Sequence, residues 1–270
     1  MAEIPISIAE IPVHLLIDDG GTAERVRQHY AAFLDQGGQP PALTLSVVVR
    51  AGARFIPIEP GPWIMNITHR AGRIAFESYL EAGEADLNKG TGQVVMAPEG
   101  SLENVLRVLY AWLCLRQGGL LLHAAGVIRN GKGYAFFGPS GAGKTTTTRL
   151  SEGIAQTLSD DLVIIRCVNG RYILYGVPFR GEMADAPRWN AQAPLTGLFR
   201  LRQAQRHAVV PLTPAEGVAE LVAAAPFVVA DPTAAVELIN VCSALTAAVP
   251  VRALHFRRDA GFWSVIDASV

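Results

Sequence analysis

An α/β fold with a smaller, β-rich N-terminal domain is what the sequence predicts, and three observations predict it. The apolar run 133–137 leads directly into Gly138-Pro139-Ser140-Gly141-Ala142-Gly143-Lys144-Thr145, and 146–150 continue as a helix. This strand, glycine loop and helix order is the context in which the pattern G-x-x-x-x-G-K-[ST] reads as a phosphate-binding P-loop. The second observation is Leu-Ser-Asp160-Asp161 followed by the apolar run 162–165, which places two carboxylates at the end of the next strand. The third is the alternation of apolar and polar residues in stretches before residue 100, the period-two signature of strands. The domains so predicted are 1–100, β-rich, and 101–270, carrying the P-loop.

In the first domain, residues 42–50, 63–68 and 73–79 alternate as strands, divided by Pro60, Pro62 and Gly72. Its one helical candidate spans 22–34. His14, His29 and His69 stand alone in the sequence and read as structural or surface residues, without a spacing that suggests ligands.

A helix over 101–117 follows, with Ser101 as N-cap and a wide apolar face from Leu102, Val105, Leu106, Leu109, Trp112 and Leu113. Gly118-Gly119 ends it. Residues 120–129 then form an apolar strand with one polar residue inside, His123, and Asn130-Gly131 turns the chain back into the strand that leads to the P-loop. A histidine buried there must satisfy both ring nitrogens, by a structural bond to backbone or by a role at the phosphate site, and pairing with the P-loop strand favours the site.

Phosphates are best held by backbone N–H groups. Gly138, Gly141 and Gly143 let the loop take conformations that place those groups near the anion, and Ser140, Ala142 and Thr146 complete the expected nucleotide-binding set. The helix starting near Gly143, for which the chain has room for about three turns, would aim its first N–H groups at the same point. Lys144 would reach the outer phosphates and Thr145 would place its hydroxyl on Mg²⁺.

Parallel, neighbouring strands in a βαβ unit open on one sheet edge, which sets Asp160 and Asp161 beside the loop. Two adjacent carboxylates at a Mg²⁺–phosphate site suit two tasks, holding metal and taking a proton from an attacking hydroxyl. Further on, 162–167 and 171–176 form a hairpin about Asn169-Gly170. A loop follows in which Arg180, with Glu182 nearby, is a candidate cation for the transferring phosphoryl group. Residues 198–202 alternate as a strand, with Arg202 read as solvent-facing and Arg200 left open between solvent and nucleotide. Helices over 214–224 and 233–247, a strand over 251–256 and an apolar end at 261–266 complete the chain.

Composition excludes several classes. With 270 residues, half of them hydrophobic, the chain can bury a sizeable core, and a formal net charge of -1 without a dense Lys/Arg block argues against a nucleic-acid surface. The three cysteines, Cys114, Cys167 and Cys242, lack C-x-x-C spacing and read as core residues of a reduced, cytoplasmic protein. Neither a signal peptide nor a membrane-spanning run is expected, and oligomeric state is left open.

Leu-Leu-His123-Ala-Ala-Gly, the P-loop and Leu-Ser-Asp160-Asp161 together resemble the catalytic domain of HPr kinase/phosphorylase and its relatives. These include phosphoenolpyruvate carboxykinase and the HPr-kinase-like enzymes of peptide-modification clusters, such as kinases of lasso precursor peptides. The resemblance covers roughly 118–270. It implies an HPr kinase/carboxykinase-like domain that binds ATP through Gly138 to Thr145. It also implies Mg²⁺ on Thr145 and one of the Asp pair, for which Asp161 is the working choice, and a phosphate-side role for His123. The HPr kinase signature Glu-Ile-Arg-Gly and the metal-binding Lys and His of the carboxykinases are not found. The activity this favours is transfer of the γ-phosphoryl group of ATP to a hydroxyl, foremost a serine of a peptide or small protein. A sugar or small-alcohol kinase and a non-catalytic, nucleotide-gated binding module are the alternatives. A second carboxylate aimed at an acceptor favours the enzyme over the binding module.

Overall fold

A computed structural model describes residues 1–58, 64–179, 181–183, 186–229 and 231–269. The fold is mixed α/β, dominated by two sheets, and the chain divides into two compact units, residues 1–113 and 114–270. Among the described residues, no helix is long and apolar enough to cross a membrane.

The first unit contains β1 (Ala2–Ile8), β2 (Ile11–Ile17), α1 (Gly20–His29), a 3-10 turn at Ala31–Phe33, β3 (Leu43–Val49), β4 (Asn66–Arg70), β5 (Arg73–Glu77), β6 (Glu81–Asp86) and β7 (Thr91–Met96). They form a seven-stranded sheet in the order β1-β2-β3-β7-β6-β5-β4, in which β2/β3 and β3/β7 are parallel and the other neighbours antiparallel. β1 and β2 carry prolines, although Ile4, Ile6 and Ile8 alternate inward along β1, and β6 reads Glu-Ala-Gly-Glu-Ala-Asp, which no apolar alternation marks. Pro5 is accommodated because β1 is an edge strand, where a missing N–H costs no ladder bond. The residues between Pro60 and Trp63, including the expected start of the strand at 63–68, lie outside the described residues.

Helix α2 (Leu102–Arg116) runs across the division between the units. Up to Leu113 it groups with the N-terminal sheet, whereas a boundary at residue 100 would assign it wholly to the second domain. The Tyr110 hydroxyl donates to Ile11 O at 2.9 Å. Ser101 Oγ accepts from the Asn104 N–H, and the buried Glu81 accepts from the Ser101 N–H and from Asn104 Nδ2. The carboxylate thus satisfies the Ser101 N–H at the helix start and holds the Asn104 side chain beside it. The three isolated histidines also have structural contacts: His14 meets Glu3 at 2.9 Å, His29 meets Glu103 at 2.9 Å, and His69 stacks on Trp112.

In the second unit the chain runs β8 (Leu120–Leu122), β9 (Ala124–Arg129), β10 (Lys132–Phe137), α3 (Lys144–Leu150), β11 (Gln156–Ser159), β12 (Val163–Val168), β13 (Arg171–Tyr175), β14 (Gln192–Gln203), β15 (Ala208–Pro211), α4 (Pro214–Ala223), α5 (Pro232–Ala248), β16 (Val251–Phe256) and α6 (Phe262–Asp267). The nine-stranded sheet follows β11-β9-β10-β14-β13-β12-β8, with β16 on β14 and β15 on β16. Asn130-Gly131 and Asn169-Gly170 make the tight hairpins with positive φ at both positions, as a type I′ turn requires.

Two expectations about this sheet change. Strands β10 and β11 are not neighbours: β9 lies between them and is antiparallel to both, so the two still run parallel and their carboxyl ends share an edge. The apolar run 120–129 is not one strand. It breaks at His123, β8 pairing with β12 while β9 pairs with β10 and β11, because the chain there passes from one half of the sheet to the other. Of the cysteines, all free, Cys114 and Cys242 are buried, and burial pushes both thiols up to about 12. Cys167 is exposed instead of forming core, since β12 at its far end has an outward face.

Candidate functional site

Strands β10, β14 and β16 are parallel, and the loops leaving their carboxyl ends gather on one edge. Behind that edge Tyr134, Phe136, Phe199, Phe256, Phe262 and Trp263 form a buried aromatic core. The Trp263 indole N–H donates to Ser151 Oγ at 3.0 Å, Ser151 Oγ donates to Thr147 O, and the Thr147 and Thr148 hydroxyls both donate to Lys144 O. Helix α3 is therefore pinned from its C-terminal end back to Lys144. It is seven residues long, two turns instead of three, since Ser151 already closes it.

The glycine loop 138–143 joins β10 to this helix. At Gly143 φ is 109°, and a Cβ there would stand 2.6 Å from the Phe256 ring, so the position excludes any side chain. Lys144 Nζ donates to Gly138 O at 3.1 Å, which lays the buried side chain along the loop. Burial lowers the pKa of this ammonium, and the carboxylates of Asp161 and Glu182 oppose the shift. Ser140, Gly141, Gly143, Lys144, Thr145 and Thr146 line a cavity of about 360 Å³. Ala142 instead packs against the aromatic core, and Gly138 contributes its carbonyl to Lys144.

Across the cavity lie both carboxylates. Strand β11 ends at Ser159, whose Oγ accepts from the N–H groups of Asp161 and Leu162, each at 3.2 Å. This hydroxyl-closed turn separates the two side chains. Asp160 is buried, and its Oδ2 accepts from Thr145 Oγ1 at 3.3 Å and from Met183 N–H at 3.1 Å. Asp161 Oδ1 instead lies 3.1 Å from His123 Nε2. The carboxylate beside the Thr145 hydroxyl is thus Asp160, whereas the working metal pair on sequence was Thr145 with Asp161.

His123 occupies the break between β8 and β9, opposite the start of the glycine loop, because Ala124 pairs with Phe137. Its N–H donates to Ala224 O at 2.8 Å instead of joining a ladder. The side chain is 43% exposed, not buried, and lines the cavity. A break in the strand turns it outward, which alternation alone does not reveal.

Arg180 lies outside the described residues. Next to it, Gly181 packs so closely that a Cβ would stand 2.4 Å from Asp160 Oδ1 and 2.7 Å from Asp161 Cβ. Glu182 lines the cavity. Arg200 faces neither solvent nor cavity: its Nε donates to Glu220 Oε2 at 2.6 Å and its NH1 group to Leu201 O at 2.7 Å, under Gly138. Arg202 is exposed.

Two cavity residues have no motif around them. Gln203, at the end of β14, donates to Gly141 O at 2.8 Å, and Arg258, just past β16, lines the same wall. The available signal is topological: residues at the carboxyl ends of parallel strands beside the loop strand converge on one edge.

Chemically, the site sets an ammonium and a glycine loop opposite two carboxylates with different partners. That is a geometry for an anion and a cation held together. Residues 93–270 match the family described as SynChlorMet cassette protein ScmC. The chain belongs to the ScmC family. The ScmC match contains every residue of the site, from His123 to Arg258, and begins within β7 of the first unit. A search of curated proteins finds no match.

Proposed function

We propose that this protein is an ATP-dependent kinase with a P-loop domain of the HPr kinase/carboxykinase kind, transferring the γ-phosphoryl group to a serine hydroxyl of a peptide or small protein. The observation that carries the reading is the division of labour in the acidic pair: Asp160 at the Thr145 hydroxyl, Asp161 at the His123 imidazole. A site that only bound Mg²⁺ and nucleotide would need the first arrangement and not the second.

The glycine loop and Lys144 hold the triphosphate. Thr145 and Asp160 are the residues that would hold Mg²⁺, and their oxygens already stand within hydrogen-bonding distance of each other. When bound, the metal neutralises charge on the β- and γ-phosphates. Asp161 takes the proton of the acceptor hydroxyl as its oxygen bonds to the γ-phosphorus. The bond from that phosphorus to the bridging oxygen breaks, and ADP leaves. His123 orients the Asp161 carboxylate and faces the same cavity.

The test is incubation of the protein with γ-labelled ATP, Mg²⁺ and serine-containing peptides, with Lys144→Ala as control. Label on serine that requires Lys144 supports the kinase. Stabilisation by ATP·Mg without label on any acceptor would replace it by a nucleotide-gated binding module.

A further inference from the structure

Beside the cavity lies a second, larger hollow of about 550 Å³, between the carboxyl end of α3 and the segment approaching β14. Much of its wall is apolar, from Ala155, Met183, Ala186, Pro187 and Trp189, and Gln156, Thr157 and three charged side chains also line it. Trp189 is 46% exposed and the adjoining Ile154 is 50% exposed. A tryptophan left open next to an apolar hollow is the kind of group that anchors a partner.

Three contacts join this hollow to the acidic pair. Glu182 lines both spaces. Met183, a wall of the hollow, donates its N–H to Asp160 Oδ2 at 3.1 Å. Gly181 lies against both Asp160 and Asp161. Met183 thus walls the hollow and holds Asp160 at once, and Glu182 borders both spaces, so the hollow adjoins the cavity that holds the acidic pair. Among the described residues, the charged groups lining the hollow are one cation, Arg149, and two carboxylates, Glu152 and Glu182, which disfavours an acidic occupant.

We propose that this hollow is the acceptor subsite: it seats an aliphatic or aromatic side chain of an extended peptide, close to the serine to be phosphorylated and with no acidic residue between. The assignment rests on the kinase reading for the word acceptor, but not for the binding of the peptide. A free sugar or small alcohol has no side chain with which to fill the hollow, so the subsite selects peptides.

The experiment uses the full chain and two dye-labelled synthetic peptides, each with one serine. In one, the serine is flanked by Leu, Phe and Lys, and in the other by Asn and Gly. Anisotropy gives affinity, and γ-labelled ATP gives transfer. The apolar peptide is expected to bind at least about tenfold more tightly, the size of effect that burying one large apolar side chain produces. Trp189→Ala and Ala186→Arg should each remove that preference while leaving the ATP·Mg-induced rise in melting temperature unchanged. Equal binding of the two peptides, or a preference that survives both substitutions, overturns the subsite. So does protection of Trp189 by self-association, seen as emission that shifts with protein concentration and not with peptide. Preferential binding without any phosphoryl transfer would overturn the kinase reading and leave the peptide site standing.

Discussion

His123 Nε2 and Asp161 Oδ1 lie 3.1 Å apart, while the preceding carboxylate, Asp160, turns the other way to the Thr145 hydroxyl. Neighbouring residues at a strand end ordinarily point to opposite sides, and the Ser159 turn preserves that separation past the end of β11. Asp161→Asn is expected to cut phosphoryl transfer by about two to four orders of magnitude with Mg²⁺-dependent ATP affinity nearly intact, the usual size of a general-base contribution. Asp160→Asn should weaken ATP binding in the presence of Mg²⁺ and change it little in its absence. Calorimetric titration with and without Mg²⁺, beside single-turnover transfer, separates the two, and the reverse pattern would exchange their roles.

Lys144→Ala is expected to abolish most of the rise in melting temperature that ATP·Mg produces. At saturating ligand that linkage is worth about 3 kcal/mol, well above the resolution of a thermal scan. Because burial already depresses the pKa of this ammonium, removing it should cost the apo fold little. An undiminished ATP·Mg shift in the variant would refute triphosphate binding at the loop.

His123→Ala should lower turnover more than it raises the KM for ATP. The side chain is 43% exposed, so its loss should change stability by no more than about 0.5 kcal/mol. A large fall in melting temperature would instead make it a structural residue.

Much of the second unit was legible because its signals are local. Asn130-Gly131 and Asn169-Gly170 specify hairpins, and Gly143 and Lys144 belong to a motif whose spacing is itself the geometry. The strand break at His123, the interposed β9 and the convergence of Gln203 and Arg258 depend on which strands pair, and pairing is not written in local periodicity. In the first unit β6 was hidden because its Glu81 serves the start of α2, and a polar run of that kind does not read as a strand. The seven-residue length of α3 was equally illegible: the helix closes at Ser151, whose hydroxyl accepts from Trp263, more than a hundred positions away.

Gly181→Ala tests whether the segment after Arg180 holds the acidic pair in place. Its added Cβ would meet Asp160 Oδ1 at 2.4 Å, and a carboxylate held by Thr145 and Met183 must then shift. The expectation is a loss of Mg²⁺-dependent ATP affinity together with transfer, at nearly unchanged melting temperature. Full activity in this variant would show that the segment yields without moving Asp160.

The support behind the glycine loop should depend on pH. Arg129 makes a two-pronged pair with Asp267, one contact at 3.0 Å, and its guanidinium stacks over the Trp263 ring at 4.6 Å. The hydrogen bond from Arg129 holds the Asp267 carboxyl below the usual carboxylate range. A depressed carboxylate pKa contributes stability that is present in full above the unfolded-state value and is lost as pH falls through the folded-state value. Asp267 is half exposed, so the pair should be worth no more than about 1 kcal/mol at neutral pH. Asp267→Asn is therefore expected to lower stability by up to that amount at pH 7, and the difference from the parent should vanish as the solution is acidified below the carboxylate range. Arg129→Ala should cost more than Asp267→Asn at every pH, because it also removes the stacking on Trp263. Urea melts of both variants across that range check the ordering. A penalty for Asp267→Asn that persists in acid would mean that the carboxyl acts by packing and not by charge.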